Sequence, residues 1–163
     1  VDIAFRSQQL IAVLLILFSL IYLGLERVGN GEISLEQVGV VHSVFIGCAQ
    51  AIALIPGVSR SGSTIGAGMI VGLSREQAAE FTFLLSLPIT LGAGGKKFIG
   101  TLELWRMGQL PPSEIGIFII GMLTAAVVGL ATIHYLLRFL KKGTLYPFII
   151  YRIVLGVGIL WMS

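Results

Sequence analysis

Uncharged apolar runs long enough to cross a bilayer are the feature that most limits how this 163-residue chain can fold. The run from Ser7 to Leu25 contains no charged residue, and at about 1.5 Å per residue a helix of that length crosses a hydrocarbon core of about 30 Å. Hydrophobic residues make up 56% of the chain and charged residues 12%, so it has more apolar surface than a soluble domain of this size can bury. The sequence therefore predicts an all-α integral membrane protein.

Four segments have the length and the apolar character of a membrane-spanning helix. They are residues 7–25, 77–95, 115–137 and 146–162. Residues 26–37 carry three glutamates and a Gly-Asn-Gly turn at 29–31, which is typical of an aqueous loop. A second loop is predicted at residues 96–114, because Pro111 and Pro112 should stop any helix there.

The apolar region from Val38 to Leu73 is too long for one span, and the sequence PGVSRSG interrupts it at residues 56–62. Two half-length helices around a polar turn fit this pattern, with Pro56 ending the first and the second beginning near Gly62. Irregular backbone at membrane depth occurs only where protein or a water-filled cavity covers it, so such a turn usually lines a site. We expect about four transmembrane helices plus one re-entrant helical hairpin, at about residues 38–73, in a single membrane domain.

The charges that flank the spans favour one orientation only slightly. If the hairpin returns to its side of entry, that face collects Arg27, Arg75, Arg138, Lys141 and Lys142. The opposite face collects Arg6, Lys96, Lys97 and Arg106. Cytoplasmic loops are enriched in Lys and Arg, so this small excess leans toward a hairpin that enters from the cytoplasm.

The turn at residues 56–62 has the composition of an oxyanion site. Its hydroxyl side chains are expected near the free N–H groups at the start of a helix, where the helix dipole favours negative charge. Arg60 adds a planar fork of donors, and an unpaired arginine at that depth in an apolar run costs several kcal/mol. The residues assigned to phosphate binding are Arg60, Ser61, Gly62, Ser63 and Thr64, and Ser59 contributes a further hydroxyl to the same turn.

A few other polar residues within apolar segments are candidates for a supporting role. Glu80 lies five residues after Arg75 and is close enough in sequence to pair with it. Arg152 is embedded in the last span, where a structural partner such as Glu80 or a backbone carbonyl is the simplest interpretation. His42 and His134 each stand alone on an apolar face and are interpreted as packing residues. No carboxylate pair or His/Glu cluster has metal-ligand spacing, so no metal site is predicted within this chain.

The sequence PGVSRSGSTI at residues 56–65 resembles the signature of the undecaprenyl-diphosphate phosphatase family, the bacitracin-resistance proteins. Residues 79–88, AEFTFLLSLP, resemble the family's following helix, and residues 147–152, PFIIYR, resemble its last helix. The similarity runs from about Leu10 to the C-terminus. Family members are longer, with two inverted halves that each carry a re-entrant hairpin, and this chain is similar to the second half. It begins with Val1 and lacks the features of a signal peptide, so we expect the interior of a longer protein.

The resemblance implies hydrolysis of undecaprenyl diphosphate to the monophosphate and inorganic phosphate in the bacterial cytoplasmic (inner) membrane, which recycles the lipid carrier of cell-wall synthesis. It makes Arg60, Ser59 and Ser61 catalytic candidates, with Thr64 as a further hydrogen-bond donor. Gln50, a possible supporting residue, stands where pseudo-symmetry places a glutamate of the other half, so a divalent metal, Mg²⁺ or Ca²⁺, would depend on ligands in that half. The implied partners are a prenyl diphosphate and membrane lipid rather than nucleic acid. A homodimer, and activity of this chain alone, are left open.

Two other interpretations remain open from the sequence. Broken helices and inverted repeats are also devices of transporters, so a transporter or lipid flippase that binds a phosphorylated substrate fits the same pattern. In a purely structural membrane subunit, Ser61 or Ser63 would only cap a helix and Arg60 would extend to the membrane interface. Phosphate release by the complete protein tests the first alternative, and replacement of Arg60 tests the second.

Overall fold

The computed structural model describes residues 7–27, 31–109 and 111–163, and α-helices account for most of them. The helices are α1 (Gln8–Leu25), α2 (Val40–Ile52), α3 (Arg60–Ile70), α4 (Arg75–Arg106), α5 (Pro112–Leu140) and α6 (Tyr146–Met162), with one 3-10 turn at Leu35–Gln37. Among the described helices, α1, α4 and α5 are long and apolar enough to cross a membrane, and α2 and α6 are shorter apolar helices. The protein is an all-α integral membrane protein, as the sequence predicts.

The chain divides into two compact units. The first comprises residues 1–82 and 139–163, and the second comprises residues 83–138. The first unit contains α1, α2, α3, the beginning of α4 and all of α6. Every residue that the sequence assigns to the site or to its support belongs to this first unit.

Helices α1 and α6 pack against each other in antiparallel directions. Gly156 of α6 touches α1 so closely that a Cβ there would lie 2.8 Å from Cγ1 of Ile16 and 3.0 Å from the carbonyl oxygen of Ala12. At the other end of α1, the amide of Leu145 donates to Oε1 of Glu26 at 3.2 Å. The two helices therefore form a continuous wall against which the hairpin rests.

Glu26 joins three parts of the first unit at one end. Its side chain is buried, and Nε of Arg75 lies 2.7 Å from Oε1 in an ion pair. Nη2 of Arg75 also donates to the carbonyl of Glu26 at 2.9 Å. The suggested pair between Arg75 and Glu80 is therefore wrong, because the carboxylate that meets Arg75 comes from the end of α1. Because of these contacts, the predicted aqueous loop at residues 26–37 begins with a buried residue, Glu26.

The α2–α3 hairpin starts and ends beside the cluster that Glu26 forms with Arg75 and Leu145. The amide of Ile33, ahead of α2, donates to the carbonyl of Gly72, just after α3, at 3.1 Å. Helix α2 ends at Ile52, before Pro56, because residues 53–55 continue in tighter turns whose amides bond three residues back. Helix α3 begins at Arg60 rather than near Gly62, because Ser59 supplies its N-cap.

Glycines along α3 let neighbouring helices approach closely. A Cβ at Gly66 would lie 2.8 Å from Cδ1 of Leu25 in α1, and a Cβ at Gly68 would lie 2.8 Å from Cβ of Ala78 in α4. Close packing of this kind depends on small residues at the contact. The hairpin is therefore docked tightly onto the start of α4 and the end of α1.

Helix α4 is longer than the sequence suggests. The predicted loop at residues 96–114 is wrong over most of its length, since α4 continues to Arg106 with Pro88 inside it. The helix stops where Gly108 adopts a φ of +69°, and Pro112 begins α5 instead of only ending a helix. Proline suits a first helical position because its missing N–H would be unpaired there anyway. The predictions for Arg6 and for residues 29–30 of the turn lie outside the described residues.

Candidate functional site

The turn between α2 and α3 touches α1 at the tip of the hairpin. Gly57 has a φ of +96°, a conformation that disfavours residues with a side chain. A Cβ at this position would lie 2.8 Å from the carbonyl oxygen of Ile11 and 3.0 Å from Cβ of Leu14. Conformation and close approach both require glycine here.

Ser59 caps the helix that follows the turn. Its Oγ accepts a hydrogen bond from the amide of Gly62 at 3.2 Å, and its carbonyl accepts from the amide of Ser63 at 3.1 Å. The amides of Ser59, Arg60 and Ser61 have no acceptor among the described residues, as is usual for the first N–H groups of a helix. Three free donors at the positive end of a helix dipole suit a phosphate or another anion.

Arg60 and Ser61 open α3, and both are exposed. Within the part of the chain that the structure describes, the guanidinium of Arg60 has no hydrogen bond and no ion pair. The hydroxyl of Ser61 has one polar neighbour there, Oγ of Ser59 at 3.5 Å. An arginine fork, a serine hydroxyl and free amides at one helix start can donate to a phosphate from several directions, which favours charge-assisted binding.

Ser63 and Thr64 direct their hydroxyls into the protein rather than toward the open end of α3. Thr64 is buried, and its Oγ1 contacts the carbonyls of Arg60 at 3.0 Å and Ser61 at 3.2 Å. Oγ of Ser63 lies 3.2 Å from the hydroxyl of Tyr22. The four expected hydroxyls therefore divide into an open pair, Ser59 and Ser61, and an internal pair.

Tyr22 and Arg152 hold the turn from within the protein. The hydroxyl of Tyr22 donates to the carbonyl of Val58 at 2.6 Å. Nη2 of Arg152 donates to the carbonyl of Gly57 at 2.7 Å, and its Nε donates to Oγ of Ser19 at 3.1 Å. Arg152 thus has backbone carbonyls as partners, and Glu80 is not among its partners.

Sequence reasoning missed Tyr22 and Ser19. They lie three residues apart on α1 and so share one face of that helix. The spacing was visible in the sequence, but nothing there indicates which helix or turn this face meets. Gly62 adds a second contact with Tyr22, since a Cβ there would lie 2.6 Å from Cε2 of the tyrosine ring.

The other suggested supporting residues make no contact that ties them to the turn. Glu80 is exposed on α4, and Gln50 is half-buried on α2. Neither side chain has a hydrogen bond or an ion pair with a described residue. His134 packs edge-on against Tyr135, and Nδ1 of His42 is buried without a hydrogen-bond partner among the described residues.

Metal ions need sets of ligand side chains that lie close together. No three histidine, cysteine, aspartate or glutamate residues lie together as a potential metal site within residues 7–27, 31–109 and 111–163. The donors around α3 are N–H groups, a guanidinium and hydroxyls, which bind anions rather than divalent cations. The chemistry that this turn can supply is therefore anion binding.

A cavity of about 940 Å³ lies in the second unit, between α4 and α5. Its walls are largely apolar and include Phe98, Leu102, Trp105, Ile115, Phe118 and Met122. None of the residues assigned to phosphate binding lines it. The cavity is therefore separate in sequence and composition from the turn at α3.

Comparison with known proteins matches nearly the whole chain to one family. The family model for the bacitracin resistance protein BacA matches residues 1–158. A relative from Geotalea daltonii, named undecaprenyl-diphosphatase, is 42% identical over 93% of this chain and 54% of its own length. Relatives of the same name from Moorella thermoacetica and Geobacter sulfurreducens are 42% and 44% identical, over 97% and 94% of this chain.

The chain spans between half and three fifths of the length of these curated relatives: 54%, 59% and 56% for the three named. The family match nevertheless covers α1 to α5 and most of α6, and it includes the turn with Arg60. This chain belongs to the bacitracin resistance protein BacA family.

Proposed function

We propose that the complete protein hydrolyses undecaprenyl diphosphate to undecaprenyl phosphate and inorganic phosphate, and that this chain binds the diphosphate at the start of α3. The observation that carries the proposal is the combination of three free amides with the unpaired, exposed guanidinium of Arg60. The relatives named undecaprenyl-diphosphatase support the choice of substrate.

The proposed reaction breaks a phosphoric anhydride bond. The oxygen of water bonds to the terminal phosphorus, and the bridging oxygen leaves with the lipid monophosphate. Arg60 and the amides of Ser59 and Ser61 bind non-bridging phosphate oxygens and stabilise the charge that develops on them. The hydroxyl of Ser61 can donate to the same group, because it has no close acceptor in the described part of the chain.

We also propose a divalent metal, Mg²⁺ or Ca²⁺, which would neutralise phosphate charge when bound. Because the described residues hold no group of three suitable side chains, we assign its ligands to residues outside this chain. The proposed setting is the bacterial cytoplasmic membrane, where hydrolysis would recycle the lipid carrier of cell-wall synthesis and confer bacitracin resistance. The lipid tail of the substrate would lie among apolar helices.

Phosphate release from undecaprenyl diphosphate by the complete protein in detergent tests this function. We expect release that EDTA abolishes and that added Mg²⁺ or Ca²⁺ restores. Arg60→Ala should lower kcat/KM by about 10²–10³-fold, the range found for loss of a strong transition-state donor. Arg60→Lys keeps the charge but loses the planar fork, so its activity should lie between that of the wild type and that of Arg60→Ala. Arg138→Ala removes an exposed arginine of α5 that has no ion pair with a described residue, and should retain full activity.

Two results would overturn the proposal. Full activity of Arg60→Ala would show that the arginine is not needed for hydrolysis and has at most a structural role. No phosphate release at any metal concentration, together with saturable uptake of the lipid into vesicles, would instead identify a transporter or flippase, which also uses broken helices.

A further inference from the structure

Two successive carbonyls of the turn point to the same side and are both held by side chains. The carbonyl of Gly57 accepts from Arg152 at 2.7 Å. The carbonyl of Val58 accepts from Tyr22 at 2.6 Å, and Nη2 of Arg152 lies 3.4 Å from it. Tyr22 is therefore the nearer partner of the peptide that leads into the phosphate-binding turn.

The orientation of that peptide decides where the next donor points. In a trans peptide the C=O and N–H bonds point in opposite directions. Because Tyr22 holds the carbonyl of Val58, the amide of Ser59 faces away from the α1 wall. This amide is one of the three free donors at the start of α3.

Ser59 itself has a conformation that needs external support. Its φ is +72°, the only positive value at a non-glycine position in the described residues. Such conformations cost about 1–3 kcal/mol and persist only where surrounding contacts hold them. The hydrogen bond from Tyr22 acts on the peptide directly before this residue.

Tyr22 also contacts the chain on the far side of Arg60. Its ring occupies the space where a Cβ of Gly62 would be, with Cε2 2.6 Å from that position. Its hydroxyl lies 3.2 Å from Oγ of Ser63, and the guanidinium of Arg152 lies 5.5 Å from its ring centroid. One side chain thus contacts the backbone on both sides of the exposed arginine.

We propose that Tyr22 is a positioning residue for the phosphate-binding turn. Its hydroxyl fixes the Val58–Ser59 peptide so that the amide of Ser59 and the side chain of Arg60 face the ligand together. Tyr22 does not touch the phosphate, and it acts through the backbone that carries the donors. The inference rests on the proposed function for the identity of the ligand.

Binding of inorganic pyrophosphate to the complete protein, measured by isothermal titration calorimetry, tests this role without requiring hydrolysis. Tyr22→Phe removes the hydroxyl but keeps the ring against Gly62, and should weaken binding about tenfold, since a misaligned donor set loses roughly the worth of one hydrogen bond. Tyr135→Phe removes the hydroxyl of an exposed tyrosine of α5 that makes no hydrogen bond with a described residue, and should leave the affinity unchanged.

A double-mutant cycle separates positioning from general stabilisation. With Arg60→Ala already present, Tyr22→Phe should add little further loss, because residues that act on one site are not additive. Arg152→Lys, which cannot bridge Gly57 and Ser19 in the same way, should weaken binding in the same direction and serves if Tyr22→Phe does not fold. Unchanged affinity of Tyr22→Phe, equal losses in both backgrounds, or no pyrophosphate binding by the wild type would overturn the inference. Pyrophosphate binding that depends on Tyr22 without any phosphate release would instead refute the proposed hydrolysis alone.

Discussion

Ser59 combines two opposing effects on stability at one residue. Its backbone has a φ of +72° and a ψ of 112°, which a residue with a side chain rarely adopts. Its hydroxyl also caps α3 by accepting from the amide of Gly62. Strain of this kind costs about 1–3 kcal/mol, and an N-cap contributes about 1 kcal/mol. Two substitutions can separate the strain from the cap.

We predict that Ser59→Gly and Ser59→Ala differ in stability although both remove the hydroxyl. Glycine relieves the strain and is itself tolerated at an N-cap, so the free energy of unfolding should stay the same or rise by up to about 1 kcal/mol. Alanine keeps the strain and loses the cap, so it should lower the free energy of unfolding by about 1 kcal/mol. Thermal unfolding of the purified complete protein in detergent measures the difference. Equal destabilisation by both would show that the strain is not relieved.

At the scale of the element, the hairpin depends on how closely its tip approaches α1. Helices α2 and α3 are each too short to cross a bilayer, so the turn between them must be covered by protein or line a water-filled cavity. The contact of Gly57 with Ile11 and Leu14 covers the α1 side of the turn. A side chain at the tip would therefore push the turn away from the helix that shields it.

We predict that Gly57→Ala is far more damaging than Gly47→Ala. At Gly57 a methyl group would be strained by the φ of +96° and would meet the carbonyl of Ile11, so we expect at least about a tenfold loss of activity and a loss of about 2 kcal/mol in stability. At Gly47, inside α2, a Cβ has no atom within 4 Å. Alanine there should be neutral or slightly stabilising, because it favours a helix. Similar activity and melting temperature for both variants would contradict the close packing of the tip.

In the first unit, contacts at the two ends of α1 show how far the hairpin extends along that helix. The two ends of the hairpin meet at the backbone hydrogen bond between Ile33 and Gly72, near the cluster of Glu26, Arg75 and Leu145. Its tip meets α1 at Ile11, about 20 Å farther along the helix axis. In a hydrocarbon core of about 30 Å, we expect this distance to bring the turn beyond the middle of the membrane, with both ends of the hairpin on one side.

We predict that Glu36 and Lys142, both exposed, lie on the same face of the membrane. In a cysteine-free version of the complete protein, which includes Cys48→Ala, single cysteines at these positions should react equally with a membrane-impermeant maleimide. A cysteine at Ser163, at the far end of α6, should react only from the opposite face. Labelling of Glu36→Cys and Lys142→Cys from different faces would show that the hairpin crosses the membrane.

The sequence by itself determined the features that depend on local composition. Uncharged runs predict the apolar helices, and the break at Pro56 and Gly57 predicts the turn, because apolar length and backbone restriction are properties of neighbouring residues. The position of Arg60 inside an apolar region also indicated an anion site, since a charge there needs a partner. The predicted end of α4 was wrong. Residues 96–106 include several charged residues and so resemble a loop in composition, but they remain helical.

Only the tertiary structure decided which distant groups meet. Arg75 binds Glu26, 49 residues away, and not the nearby Glu80. The hydroxyl of Tyr22 reaches a carbonyl 36 residues along the chain, and Arg152 reaches one 95 residues away. These pairings follow from the packing of α1, α6 and the hairpin. The residues next to a side chain in the sequence do not indicate which helix will pack against it. The sequence thus predicts where a phosphate could be held, and the fold shows which residues hold the turn in place.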